Sequence, residues 1–165
     1  MEHLEIERKY LIRMPDQGFL KSLPSSSIEQ VYILNPEGGR ERIRCRETDG
    51  IKVYTHTVKK RLSNLTRIEQ ENEISKKEYE KLLRSVDPDR QILHKMRYLH
   101  NYKGQVFEID VFPFWQDRAL MELELDKEEQ TIFLPPDIAV IRDVTAEKAY
   151  TNASIAQSIP FEKLT

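Results

Sequence analysis

The feature that most constrains this chain is a two-residue alternation in which segment after segment puts charges of one sign on a single face. Arg42, Arg44 and Arg46 alternate with Ile43 and Cys45, Glu108 and Asp110 with Phe107, Ile109 and Val111, and Glu122 and Glu124 with Met121, Leu123 and Leu125. Glu5, Glu7 and Lys9 stand against Leu4, Ile6 and Tyr10, and Lys95 and Arg97 against Met96 and Tyr98. Thr55, Thr57 and Lys59 share a face, as do Glu69 and Glu71. Side chains two apart on an extended strand project into the same space. Like charges at that spacing gain nothing from one another on an ordinary surface strand. One such pair is most simply a solvated face, but seven concordant strands point to a shared charged interior.

The same period, with β-branched and aromatic residues on the alternate face, predicts strands over Leu4–Ile12, Glu29–Leu34, Arg40–Thr48, Ile51–Arg61, Leu65–Ser75, Ile92–Tyr102, Gln105–Phe112, Ala119–Asp126 and Ile138–Thr145. Asn35-Pro36-Glu37-Gly38-Gly39, Asp49-Gly50 and Lys103-Gly104 supply turns, so neighbouring strands are expected to pair as antiparallel hairpins. Three helices interrupt them. Ser75-Lys76-Lys77-Glu78 has capping-box spacing and leads into the stripe Tyr79, Leu82, Leu83 and Val86, ended by Asp87-Pro88. Weaker helical patterns cover Pro15–Leu23 and run from Asn152 to about Ser158. The expected fold is mainly β (α+β), the strands closing into an antiparallel barrel whose charged faces turn inward and whose apolar faces are covered by helices and loops.

At 165 residues the chain is expected to form one domain over 1–165, without an internal repeat or linker. Its 26 Lys and Arg against 28 Asp and Glu leave a net charge of -2, so no global basic field directs it to nucleic acid or an anionic membrane. The arginine run from Arg42 lacks interleaved aromatics, which also speaks against nucleic acid. Cys45, the only cysteine, excludes an internal disulfide and a cysteine-rich zinc site and is expected to pack as a small apolar group. No apolar run is long enough to span a bilayer, and the N-terminus lacks signal-peptide regions, so a cytoplasmic protein is expected. His3, His56, His94 and His100 show no ligand spacing and are expected at the surface or in packing.

Carboxylates are the hard oxygen ligands that Mg²⁺ or Mn²⁺ prefers, and clustered Arg and Lys neutralise phosphate oxygens. Brought together in one lumen, the two sets imply phosphoryl transfer.

These residues, in order, resemble the triphosphate tunnel metalloenzymes, or CYTH proteins. Glu5-Ile6-Glu7-Arg8-Lys9 matches the ExExK signature on the first strand. It is followed by Gln30-Val31-Tyr32-Ile33, Arg42-Ile43-Arg44, Thr57-Val58-Lys59, Arg67-Ile68-Glu69-Gln70-Glu71 and Lys95-Met96-Arg97-Tyr98. Phe107 to Phe112, Glu122-Leu123-Glu124, Asp143-Val144-Thr145 and Tyr150-Thr151-Asn152 complete a match over nearly the whole chain. The resemblance implies a closed eight-stranded antiparallel tunnel with a few flanking helices, open at both ends, binding a linear triphosphate along its axis. It further implies that Glu5, Glu7, Glu122 and Glu124 hold Mg²⁺ or Mn²⁺. Lys9, Arg42, Arg44, Lys59, Lys95 and Arg97 would grip phosphates, Lys148 would stand in a segment closing one mouth, and Glu69, Glu71 and Asp110 would complete the acidic side.

The implied activity is metal-dependent hydrolysis of inorganic tripolyphosphate, by a monomer or homodimer. The alternatives are a nucleoside or thiamine triphosphatase or an adenylyl cyclase of the same fold, a non-catalytic polyphosphate-binding protein, and a barrel for an apolar ligand. His3-Leu4 abuts Glu5, which fits poorly with the His-Phe pair that the cyclases carry further ahead of ExExK. Tyr32 either influences which phosphate linkage is cut or simply packs, and Trp115, within Phe112-Pro113-Phe114-Trp115, either stacks on a substrate ring or closes a barrel rim.

Overall fold

The computed structural model describes residues 2–35 and 40–165; the Pro36 to Gly39 portion of the first expected turn lies outside them. Nine strands form: β1 (Glu2–Arg13), β2 (Ser25–Tyr32), β3 (Arg40–Thr48), β4 (Ile51–Arg61), β5 (Thr66–Ile74), β6 (Leu93–Tyr102), β7 (Gln105–Val111), β8 (Arg118–Glu124) and β9 (Val140–Asp143). The first eight close on themselves in the order β1-β5-β4-β3-β2-β6-β7-β8, all antiparallel, and β8 returns to β1. The strand β1 makes closure possible because it is long enough to serve three partners. One edge pairs with β8 from Glu7 to Arg13, while the other pairs with β5 over Glu2 to Ile6 and with β9 from Tyr10 onward. A closed eight-stranded antiparallel barrel with short flanking helices is therefore the architecture, and β9 is an added strand outside the ring.

The hairpins β3–β4 and β6–β7 turn on two residues each, Asp49-Gly50 and Lys103-Gly104, all four with positive φ, as a tight turn matched to strand twist requires. Most strand ends fall within two residues of expectation, and β2 and β9 depart furthest. The strand β2 begins at Ser25, because the backbone of Ser25 to Ser27 pairs with Met96 to Tyr98 of β6 although their side chains carry no apolar alternation. The strand β9 is only four residues long, and its pairing with β1 shifts register between Leu11 and Ile12.

Helix α1 (Gln17–Lys21) is capped by Asp16, whose carboxylate accepts from Gly18 and Phe19 N–H groups. Helix α2 (Lys76–Leu82) is capped by Ser75, which accepts from Glu78 N–H at 3.1 Å, and ends in a 3₁₀ turn. Helix α3 (Asn152–Gln157) is capped by Thr151. Among the described residues no helix is long and apolar enough to cross a membrane.

The outward apolar faces find covers. Leu20 of α1 and Ile138 pack over Ile6, Tyr10, Phe107, Ile109, Met121 and Leu123, while Tyr79 and Leu82 of α2 pack over Val31, Ile33 and Ile43, with Cys45 beside them. A third cluster stands at one end of the barrel, where the charged rows of β1, β6, β7 and β8 run on at the same spacing into Leu11, Leu93, Phe112 and Leu120. These four are at most 1% exposed and pack against Ala153, Ile155 and Ala156 of α3. This cluster narrows one end of the tunnel. Apolar burial on the β6-β7-β8-β1 side stoppers half of that end. The β3-β4-β5 side keeps Arg40, Lys59 and Arg67 instead.

Candidate active site

The barrel encloses a cavity of about 180 Å³, large enough for a small polyanion rather than a single water. Eight cationic and seven carboxylate side chains line it, so its character depends on where the charges sit rather than on their sum. Of the residues selected from sequence, Glu5, Glu7, Lys9, Arg42, Arg44, Lys59, Glu69, Glu71, Lys95, Arg97, Glu122 and Glu124 all line this one space.

The signs mix on most of the wall, but the arginines of β3 stand apart from the acids. Around the ring β3 stands four strands from β8 in either direction, so the arginines of β3 face the carboxylates of β8 across the lumen. On β8 and its neighbours the cross-strand register sets Glu7 against Glu124, Lys9 against Glu122 and Glu108 against Glu122. On β3 the inward neighbours contain no acid: Arg44 stands between Gln30 and Thr55, Arg42 between Tyr32 and Thr57, and Arg40 beside Lys59.

Pairing follows from that register. Lys9 Nζ lies 3.2 Å from Glu122, Lys59 Nζ 3.0 Å from Glu5 and 3.3 Å from Glu69, and Arg67 3.6 Å from Glu7. Arg97 reaches Glu108 at 3.1 Å. Among the described residues no carboxylate comes within ion-pair distance of Arg40, Arg42 or Arg44. Arg44 donates to Gln30 Oε1 at 2.8 Å, and the buried Nε atoms of Arg42 and Arg44 have no hydrogen-bond partner. Burial, then Arg42 and Arg97, pull the Arg44 guanidinium down to about 9. A buried guanidinium wall without ion-pair partners in an enclosed space suits an anion.

Asp110 and Lys148 fall elsewhere. Asp110 is 1% exposed and lies behind the cavity wall, its two oxygens taken by Arg97 at 2.8 and 2.9 Å and by Lys95 at 2.7 Å. Against its burial, Arg97 and then Lys95 hold its carboxyl far below the usual range. Lys95 is pushed down to about 7, by burial first and then by Arg97 and Arg44, because the carboxylate it meets is already neutralised by Arg97. Lys148 is exposed in a 3₁₀ turn outside the lining. Its neighbours reach the cavity instead: Tyr150 accepts from Lys9 Nζ through its backbone carbonyl at 3.2 Å, and Asn152 Oδ1 accepts from Lys95 Nζ at 3.1 Å. Arg46 donates to Ser26 Oγ at 2.8 Å and is not part of the lining.

The lining also includes Arg40, Arg67 and Glu108, which carried no assigned role in the sequence reading. Each stands two residues from an assigned one, so the alternation itself carried the signal. His3, expected at the surface or in packing, is half-exposed near Glu69 and Glu124, at 3.9 and 3.6 Å. Tyr32 lines the cavity and its hydroxyl accepts from Gln30 Nε2 at 2.7 Å. Trp115 is buried among Phe112, Phe114 and Tyr150 with its indole N–H donating to Pro160 C=O, so it closes the barrel end rather than offering a face to substrate.

Among the described residues no three His, Cys, Asp or Glu side chains converge closely enough to hold a metal ion. The carboxylates are instead drawn toward Lys9, Lys59 and Arg67. Their chemistry nonetheless suits a hard divalent cation. Burial, followed by repulsion from Glu122 and Glu5, pushes the Glu7 carboxyl up to about 7, with Lys9 and Lys59 offsetting only part. Against its burial, Lys9 holds Glu122 down at about 2. A buried carboxylate group that repels itself is relieved by a cation.

No family model matches the chain. It is 33% identical over 160 residues to an inorganic triphosphatase of Nitrosomonas europaea, covering 94% of this chain and 99% of the relative. It is 26% identical over 156 residues to an inorganic triphosphatase of Acetivibrio thermocellus, covering 93% and 94%. A solved structure of an inorganic triphosphatase superposes with a TM-score of 0.57 at 30% identity, covering 94% of this chain and 96% of that one. The chain belongs to the CYTH, or triphosphate tunnel metalloenzyme, family. That membership makes it a hydrolase of the tunnel fold.

Proposed function

We propose that this protein is a divalent-metal-dependent triphosphatase that hydrolyses inorganic tripolyphosphate. The observation that carries the reading is the acid-free register around Arg40, Arg42 and Arg44, which leaves a cationic wall facing carboxylates across one enclosed lumen. The relatives' activity on inorganic triphosphate supports the same choice. So does the lining, whose only aromatic among the described residues is Tyr32, leaving little for a nucleobase or thiamine ring to stack on.

In this reading Arg42 and Arg44 on one wall, with Lys59, Lys95 and Arg97 around them, bind phosphate oxygens and neutralise the charge that builds on the transferred phosphoryl group and leaving oxygen. Glu5, Glu7, Glu122 and Glu124 would hold Mg²⁺ or Mn²⁺, which when bound polarises phosphoryl oxygens as a Lewis acid. Glu69 and Glu71 orient a water for in-line attack on a terminal phosphorus. The new P–O bond to water forms as the bridging P–O bond breaks, giving phosphate and pyrophosphate. Lys95, near 7 and inside the cavity, supplies a proton to the departing oxygen, with Asp110 and Asn152 fixing its position. Asp110 thus acts through Arg97 and Lys95 rather than on substrate.

A panel of tripolyphosphate, ATP and thiamine triphosphate with Mg²⁺ and Mn²⁺ tests the substrate. The reading expects the highest kcat/KM for tripolyphosphate. A preference for either organic triphosphate would reassign the substrate, and pyrophosphate release from ATP would indicate a cyclase.

A further inference from the structure

Tyr150 joins the cavity to the outer surface of the protein. Its backbone carbonyl accepts from Lys9 Nζ at 3.2 Å, and two residues on, Asn152 Oδ1 accepts from Lys95 Nζ at 3.1 Å. At the far end of the same residue, which is 2% exposed, the phenol hydroxyl donates to the carboxylate of Glu162, a side chain 40% exposed.

Residues 158–165 form neither helix nor strand and are held across this end of the barrel by side chains instead. Trp115 donates its indole N–H to Pro160 C=O at 2.9 Å, Arg118 donates to Glu162 C=O at 2.5 Å, and Ile159 and Leu164 pack on the apolar cluster that includes α3. The Glu162 carboxylate takes Arg142 at 2.5 and 3.2 Å as well as the Tyr150 hydroxyl. These hydrogen bonds, from Arg142 first and then from Tyr150, hold its carboxyl down at about 2, so it stays ionised near neutral pH. Arg142 of β9 also takes both oxygens of Glu147 at 2.9 Å, at the head of the 3₁₀ turn Lys148–Tyr150. Exposed ion pairs of this kind contribute little to stability. What sets Glu162 apart is that it grips a ring with no room to absorb a shift at its hydroxyl end, so a displacement there is passed to the backbone that meets the cavity.

We infer that Glu162 is a positioning residue for the active site: by holding the Tyr150 hydroxyl it fixes the Tyr150 carbonyl and Asn152 against Lys9 and Lys95, and so sets where Lys95 stands relative to the departing oxygen. This deepens the triphosphatase reading and rests on it for the role of Lys95.

Glu162→Ala and Tyr150→Phe cut the same bond from its two ends, the first at an exposed side chain and the second with the buried ring retained, so both variants should fold. The pH dependence of Lys95 acetylation by acetic anhydride, read by peptide mass spectrometry in chelator, reports on Lys95 without turnover. Burial is the first cause of the fall of Lys95 to about 7, and a loosened turn admits water, so the labelling midpoint should rise by about one unit in either variant. For tripolyphosphate, kcat should fall about tenfold with KM within about twofold of wild type. The double variant should be no worse than either single one, because both act through one contact. An unchanged Lys95 midpoint and kcat in both variants would overturn the inference even if urea unfolding showed lost stability, since that is the behaviour of a strap that only holds the fold. Additive losses in the double variant would overturn it too, because Glu162 would then act apart from Tyr150. A raised midpoint in both variants of a protein that releases no phosphate from tripolyphosphate would count against the triphosphatase reading alone.

Discussion

Lys95 Nζ lies 2.7 Å from Asp110 Oδ2, and both side chains are 1% exposed. The carboxylate also takes both of its bonds from Arg97, so one buried acid holds two buried cations at the wall of the cavity. The arrangement costs desolvation and persists because each group is paired. It ties the phosphate-facing side of β6 to β7 and sets the protonation of Lys95.

Asp110→Asn should therefore destabilise the protein severely. Two cations would be left buried without a counter-charge, at a cost of about 3–5 kcal/mol. Urea unfolding reads this directly. Glu124→Gln, whose carboxylate is 63% exposed, should unfold within about 0.5 kcal/mol of wild type. Similar stabilities for the two variants would contradict the assignment of Asp110 to the framework.

The raised Glu7 carboxyl makes stability depend on pH. Its folded value of about 7 exceeds the ordinary 4.5, so the folded state binds the proton more tightly than the unfolded one. The metal-free protein should then lose stability as pH rises from about 4.5 to 7, by up to ~3 kcal/mol from this group. Denaturation in chelator at either end of that window should show the decline. Glu7→Gln should flatten it, and an unchanged slope in that variant would remove Glu7 as its source.

Arg44 and Arg42 carry the anion reading. Arg44→Ala should weaken tripolyphosphate binding by about 1.5–3 kcal/mol, the worth of hydrogen bonds to a charged group. Its residual affinity should vary less with ionic strength. Titration calorimetry across a salt series would show both effects, and wild-type affinity would take Arg44 off the phosphate path.

Much of this arrangement was legible in the chain, because strand geometry converts spacing into direction. Arg42 and Arg44, or Glu122 and Glu124, must share a face once their segments are extended, and closure of the ring then forces the faces together. Depth was not legible. Asp110 and Glu108 have the same spacing, yet only Glu108 lines the cavity, because Arg97 and Lys95 bury Asp110 behind it. The half-stoppered end was hidden for a related reason. Leu11, Leu93, Phe112 and Leu120 read as ordinary core, and only the seating of α3 shows that they end the charged rows. The bonds of Tyr150 and Asn152 to Lys9 and Lys95 cross more than 50 residues of sequence and left no local signal. The lack of ion pairs on β3 likewise depends on which neighbours its register selects, Gln30, Tyr32, Thr55 and Thr57.

The proposed chemistry is cleavage of a phosphoanhydride between the β3 arginines and the facing carboxylates with the help of a divalent cation. Phosphate release from tripolyphosphate, followed with Mg²⁺ or Mn²⁺, then with excess chelator, then with metal restored, tests it most directly. Turnover that appears with metal, vanishes with chelator and returns on addition is the predicted result. Tight binding of tripolyphosphate with no phosphate released under any divalent metal would contradict it.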